Sequence, residues 1–229
     1  ATWEEAERKR ERRRLAQSWR PYRVHHVVDE SSVIRSFHLE PADGLPGPPF
    51  EAGQHLPIRL RLPGGEELRR THTIPQAPAD AGLGLSIKRE GAASRHLHDA
   101  VKAGDTIEAL GPRGQFTIDA LARRPAVLIG AGVGVTPMLA FARHLVAEGF
   151  RHRRTRPIHF IQVAHDEATR AFGPELQALE QRAKGAMRLH LVLGAGAVGA
   201  AHEGPLQIDL LKSLLPFDDH EFFLCGPGA

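Results

Sequence analysis

The run Gly130-Ala-Gly-Val-Gly-Val-Thr-Pro137 restricts this chain more than any other feature, because it follows the apolar stretch Ala126–Ile129 and opens a second apolar stretch. From Pro125 to Ala142 there are 18 residues without a charge, and on length alone they would admit a membrane helix. Gly130, Gly132, Gly134 and Pro137 would break such a helix. A buried strand, a tight turn and a helix explain the same apolarity, and no membrane insertion is expected. Glycines let the backbone approach an anion without a Cβ, Thr136 can cap the following helix, and Pro137 suits its first position. Unpaired N–H groups would then face a phosphate. The spacing is not G-x-G-x-x-G and no Lys-Ser/Thr follows, which excludes a Walker-type loop. Alone, such a turn is as readily a tight connection as a nucleotide site.

The rhythm on either side of this run differs. After Arg123 it is strand, glycine turn, helix, strand, helix, as in a parallel sheet with crossover helices. Strands are expected at Ala126–Ile129, Ile158–Val163, Arg188–Leu193 and Glu221–Leu224, with helices at Pro137–Glu148, Glu175–Ala183 and Asp209–Leu214. From Tyr22 to Thr117, six short β-rich runs separated by turn residues predict an antiparallel six-stranded barrel. These are Tyr22–Val28, Val33–Glu40, His55–Leu62, Glu67–Ile74, Leu83–Arg89 and Thr106–Leu110, with a helix at Ser94–Val101. The predicted fold is therefore two domains, a β-barrel over 21–121 and an α/β domain over 122–229. A basic helix or linker over 1–20 precedes them. A chain of 229 residues accommodates both cores.

Charge and cysteine content exclude several functions. Eight basic residues between Arg8 and Arg23 against four glutamates leave the rest near neutral, so no basic face for nucleic acid is expected. Cys225 is the single cysteine; a four-thiolate iron–sulfur cluster cannot be housed here, and a reducing cytoplasm fits best. His96 and His98, two apart on a helix, are read as surface residues, and no metal site is expected.

Three segments, in order, are Arg70-Thr-His-Thr73, the glycine run through Thr136-Pro137, and Phe222-Phe-Leu-Cys-Gly-Pro227. Together they resemble the ferredoxin-NADP reductase superfamily, flavohaemoglobin reductase regions and reductases of bacterial oxygenases most of all. The resemblance runs from Pro21 to the last residue. It implies a flavin-binding barrel followed by a nicotinamide nucleotide-binding domain. In that family an Arg-x-Tyr-Ser/Thr motif places Arg on the flavin phosphates, the ring against the isoalloxazine and the hydroxyl near N5. The resemblance assigns these roles to Arg70, His72 and Thr73. Residues 70 and 72 share one face of a strand, as this requires. His72 replaces the usual Tyr and offers less ring area, which bears on flavin affinity and potential. The stretch Ile87-Lys-Arg-Glu-Gly-Ala-Ala-Ser94 resembles the family's next flavin segment. There a helix starting at Ser94, with Gly91 and Ala93 before it, would offer amides and a hydroxyl to the pyrophosphate. Backbone around Ile87, Lys88 and Arg89 would meet the pyrimidine edge.

The glycine turn, with Gly130, Gly132, Gly134, Thr136 and Pro137, is then the nucleotide site, and Cys225, Gly226 and Pro227 lie beside the nicotinamide. A buried structural thiol is the plainer reading of Cys225. Asp166 and Glu167, after the second strand of that domain, would repel a 2′-phosphate and favour NADH, while Arg170 keeps NADPH open. The resemblance implies hydride transfer from NADH or NADPH to FAD, ahead of the shorter FMN. Thr73 and Cys225 stand nearest the chemistry. Single electrons would then pass to an iron–sulfur or haem acceptor, expected first to be a fused or separate iron–sulfur domain, so that any 2Fe-2S centre lies outside this segment. The abrupt end at Gly228-Ala229 suggests that the natural protein continues. The alternative is a non-catalytic flavin or nucleotide module that docks an attached domain through Arg8–Arg14.

Overall fold

The computed structural model describes residues 17–196 and 201–227. The basic helix expected at Thr2–Ser18 lies, except for its last two residues, outside the described residues. The first six strands are β1 (Arg20–Asp29), β2 (Ile34–Pro41), β3 (His55–Arg61), β4 (Glu67–Thr73), β5 (Leu83–Lys88) and β6 (Thr106–Ala109). They form one antiparallel sheet in the order β4-β3-β6-β1-β2-β5. Its end strands β4 and β5 approach each other. Period-two alternation drives the curl: Tyr22 and Val24, Phe37 and Leu39, and Leu56, Ile58 and Leu60 all point into one core. Helix α1 (Ala92–Ala100) plugs that core with Ala93 and Leu97.

The second half is a parallel sheet in the order β10-β9-β8-β7-β11, built from β7 (Ala126–Ala131), β8 (Ile158–Ala164), β9 (Met187–Leu193), β10 (His202–Glu203) and β11 (Glu221–Cys225). Helices α2 (Val135–His152), α3 (Gly173–Arg182) and α4 (Ile208–Leu214) complete it. Residues 126–129 are buried on both faces of β7, which is what an uninterrupted apolar strand demands. The 18-residue apolar run is thus a strand, a 3₁₀ turn at Gly132–Gly134 and the start of α2. Among the described residues no helix is long and apolar enough to cross a membrane.

Every expected strand and every expected helix beyond the N-terminal one is found, with ends moved by a few residues. Helix α1 starts at Ala92 rather than Ser94, with Gly91 as its N-cap. Helix α2 starts at Val135, so Thr136 and Pro137 are its second and third residues instead of the cap and the first. The two-residue β10 was not expected, being too short to carry a period. His98, expected at the surface, is part-buried and its Nε2 lies 2.8 Å from the Ile87 carbonyl.

The two sheets meet along an aromatic seam. Phe141 of α2 packs against Phe116 of the connecting segment and Phe223 of β11, with ring centroids 5.2 and 5.3 Å away. Gly53, at φ +90°, leaves them room: a Cβ there would lie 2.2 Å from the Phe116 carbonyl oxygen and 2.4 Å from the Phe141 ring. The Ser32 N–H donates to the Ala168 carbonyl across the same boundary at 2.9 Å.

His159 of β8 is 8% exposed, packs beside His190 and His220, and is held down to about 4 from an ordinary 6.5, chiefly by burial. The unfolded chain binds this proton near pH 6.5 and the folded chain only near 4. Its contribution is therefore fully present above about pH 6.5 and is lost as pH falls toward 4. His38 and His72 behave alike. Thermal melts between pH 7 and 4.5 should show a falling melting temperature, with a shallower slope in His159→Phe; equal slopes would remove His159 from the acid-sensitive set.

Candidate functional site

A cleft of about 290 Å³ opens between the lobes. One wall carries Thr71, His72 and Thr73 from the end of β4, with Ser86, Lys88 and Glu90 from β5 and beyond. The other carries Ala131, Gly132, Val133, Gly134 and Thr136, with Cys225, Gly226 and Pro227 at its base. The motif strand and the glycine run, about 60 residues apart in sequence, thus face each other across one gap.

On the β4 wall, antiparallel pairing sets Arg70 opposite Ile58 and His72 opposite Leu56, so both lie on the face those core residues present inward. The His72 Nε2 is buried and has no hydrogen-bond partner. Burial, with Arg70 nearby, pulls this imidazole down to about 4, so it is neutral at ordinary pH. Arg70 is exposed and is not among the residues lining the cleft; its Nη1 donates to the Arg69 carbonyl at 2.7 Å. Lys88 lines the cleft and pairs with Glu90, whereas Arg89 turns away onto Asp99 at 2.9 Å. The Arg89 N–H is spent on the Val33 carbonyl, and Ile87 is a core residue.

At the start of α1, the Ser94 hydroxyl accepts from the Glu90 and Gly91 N–H groups at 2.9 Å and donates to the Gly91 carbonyl at 3.0 Å. It closes its own turn. The first-turn amides of Ala92 to Ser94, which a helix cannot satisfy internally, remain as donors, although Gly91, Ala93 and Ser94 do not line the cleft itself.

On the opposite wall the three glycines serve different ends. A Cβ on Gly130 would meet the Val135 Cα at 2.7 Å, and one on Gly134 would meet the Cys225 carbonyl oxygen at 2.2 Å. Gly132 has φ +54° and nothing within 4 Å of where its Cβ would stand. Only Gly132 therefore leaves open space at the mouth; the other two allow the turn to stack on neighbouring backbone. Thr136 donates to the Val133 carbonyl at 2.9 Å, and Pro137 is buried behind it. Cys225 is half-buried, and burial pushes its thiol up.

Asp166 lies apart from the cleft lining. Its carboxylate accepts from the Thr169 N–H and hydroxyl, both at 2.9 Å, which holds it below the usual carboxylate range. Arg170, 9% exposed in its side chain, is committed to Gln162 at 3.1 Å and Glu167 at 2.8 Å.

Thr71, Ser86, Glu90, Ala131 and Val133 also line the cleft and were not singled out in the sequence. Ser86 stands two residues before Lys88 on β5 and so shares its face. The donor set suits a flat heteroaromatic group carrying phosphates: a buried imidazole nitrogen without a partner, an open left-handed glycine, and free first-turn amides.

Residues 22–118 match the oxidoreductase FAD-binding domain and residues 128–229 the oxidoreductase NAD-binding domain. The chain is 36% identical over 219 residues to a flavohemoprotein of Deinococcus radiodurans, covering 92% of this chain and 53% of that one. It thus spans about half the length of the curated relatives it matches. Among solved structures it is similar to the flavohem-like FAD/NAD binding domain of nitric oxide dioxygenase from Vibrio cholerae. That likeness has a TM-score of 0.81 and 28% identity, and covers 91% of this chain and 87% of that one. Phthalate dioxygenase reductase, at 22% identity and TM-score 0.62 over 90% of this chain and 68% of that one, shares the fold.

The Gly134 contact gives a direct test. Gly134→Ala must push backbone against backbone and should destabilise by about 1–3 kcal/mol, whereas Gly132→Ala, strained only in its dihedral angle, should cost about 1–2 kcal/mol. Denaturant melts of the two variants measure the difference. A Gly134→Ala protein as stable as wild type would show that the turn does not depend on this approach.

Proposed function

The chain belongs to the ferredoxin-NADP reductase family, and on that premise we propose that it moves electrons from a reduced nicotinamide nucleotide through a bound FAD to a one-electron acceptor. The observation that carries this reading is the single cleft in which Thr71–Thr73 faces Gly132–Gly134 and Cys225–Pro227.

A flavin held there takes up two electrons as a hydride and releases them singly, chemistry that belongs to the cofactor. The chain's own residues bind, orient and exclude water. We assign Arg70 and the first-turn amides of α1, with Gly91, Ala93 and Ser94, to the flavin phosphates. His72 supplies a ring face, Thr73 a hydroxyl at the hydride-accepting edge, and the backbone of Ile87, Lys88 and Arg89 the pyrimidine edge. Gly130, Gly132, Gly134, Thr136 and Pro137 form the seat of the nicotinamide nucleotide. Cys225, Gly226 and Pro227 form the floor beneath its ring, where a thiol kept protonated by burial adds no charge.

NADH is the favoured donor. Asp166 and Glu167, after β8, would repel a 2′-phosphate, and the Arg170 guanidinium turned onto Gln162 and Glu167 supports this reading. For the acceptor, the relatives above 30% identity are flavohemoproteins, which favours haem over the iron–sulfur centre expected first. The likeness to phthalate dioxygenase reductase is one of fold.

Anaerobic mixing of the FAD-loaded chain with NADH or NADPH, followed by flavin absorbance, tests this. Bleaching should be faster with NADH, and Thr73→Ala should slow it by about one to two orders of magnitude with the fold intact. Flavin that stays oxidised in the wild-type chain would leave only a non-catalytic binding module. Unchanged kinetics in Thr73→Ala would strip that residue of its assigned role.

A further inference from the structure

Arg143 lies on α2, nine residues beyond Gly134, about 13 Å along the helix at 1.5 Å per residue. Its side chain is 18% exposed and reaches out of its own lobe. The Nη1 donates to the Pro75 carbonyl at 2.8 Å, and the Nε donates to the Glu175 carboxylate of α3 at 2.5 Å. The Asp80 carboxylate stands 3.8 Å from Nη1. Pro75 is two residues past Thr73, on the segment that leaves β4 directly after the cleft wall. That segment is itself held, since the Ile74 N–H donates to the Gln54 carbonyl at 2.9 Å and the Asp80 carboxylate accepts from the Ala77 N–H at 2.8 Å. One guanidinium therefore connects the rod that carries the glycine turn to the strand end that carries His72 and Thr73.

Packing does not set this spacing by itself. Beside Arg143 the seam holds a cavity of about 250 Å³, lined by His38, Gln76, Asp80, Glu175 and Arg182, and the buried Gln76 Oε1 has no partner there. Side chains do not fill this part of the seam, so close packing does not clamp it there. The Phe141 contact fixes one point of the seam, and apolar rings allow sliding about it. The directional, charge-assisted hydrogen bonds of Arg143, two residues further along the helix, do not.

We propose that Arg143 is a positioning residue that fixes the width of the cleft, so that the two rings brought there meet at contact distance. It touches neither ring. This rests on the electron-transfer reading above, in which a displacement of the order of 1 Å costs about a hundredfold in rate.

The test uses the full chain loaded with FAD, as wild type, R143Q, R143K and E175Q. It compares FAD affinity, melting temperature and the dissociation constant for NADH. It also compares the limiting rate of flavin reduction and the long-wavelength charge-transfer absorbance that appears when nicotinamide and flavin stack. In R143Q the limiting rate should fall by about tenfold to a hundredfold with loss of the charge-transfer band, while both affinities stay near wild type. R143K, which can still reach Pro75, should recover part of both signals. E175Q, which removes only the carboxylate partner, should move both signals in the same direction by less, and it carries the test should R143Q fail to fold. A wild-type rate and band in R143Q overturn the proposal, and so does a loss of rate that merely parallels loss of FAD. Should R143Q not fold, an unchanged rate and band in E175Q overturn it. A wild-type chain whose flavin NADH does not reduce would instead sink the electron-transfer reading.

Discussion

The close approach of Gly134 to the Cys225–Gly226 peptide is the constraint from which the cleft follows. With a Cβ at Gly134 the turn would collide with the Cys225 carbonyl, and with one at Gly226 the strand end would collide with the Ala131 side chain. The ends of β7 and β11 and the turn between β7 and α2 can therefore stack as bare backbone. Nothing but main chain and small side chains then faces the gap. A wall of that kind lets a ring lie flat and leaves amide groups available to an anion. It also sets the direction in which α2 departs, and α2 is the element that meets the other lobe.

That meeting is apolar at its centre and directional where it is polar. The Phe116, Phe141 and Phe223 rings close the middle of the seam. Behind them Arg156, 1% exposed, donates Nε to the Arg124 carbonyl at 2.7 Å and Nη1 to the Asp119 carbonyl at 2.9 Å, and pairs with Glu221. A buried guanidinium is costly unless its donors are met, and here they are met by the connecting segment and the first residue of β11. The link between the sheets is thus stitched to the sheet it enters rather than left as a loose hinge.

Much of this was legible in the sequence because the signals are local. Short β-rich runs between turn residues gave the barrel strands, and the glycine run between apolar stretches gave the β7–turn–α2 unit. The two family motifs placed His72, Thr73 and Cys225 at strand ends that do converge on one cleft. What the sequence could not give depends on contacts between distant segments. The Ser94 hydroxyl, read as a group for the pyrophosphate, and the Thr136 hydroxyl, read as a helix cap, each fold back onto their own turn, where a carbonyl or amide three or four residues away is at hand. Gly130 and Gly134, read as nucleotide-site glycines, also make close approaches to backbone that no local signal announced. Arg143 carried no signal at all, since its partners Pro75 and Glu175 are 68 and 32 residues away.

The electrostatics of the cleft follow from the same packing. Burial keeps the His72 imidazole neutral and the Cys225 thiol protonated, and Lys88 is balanced by Glu90. The floor where rings would lie is therefore close to uncharged. Arg70, which has no carboxylate partner among the described residues, is exposed outside the cleft lining. Arg70 and His72 thus stand two apart on one face of β4, the cation exposed and the neutral ring in the cleft wall. Burial is the main reason the His72 imidazole stays neutral, and the nearby Arg70 cation adds to it.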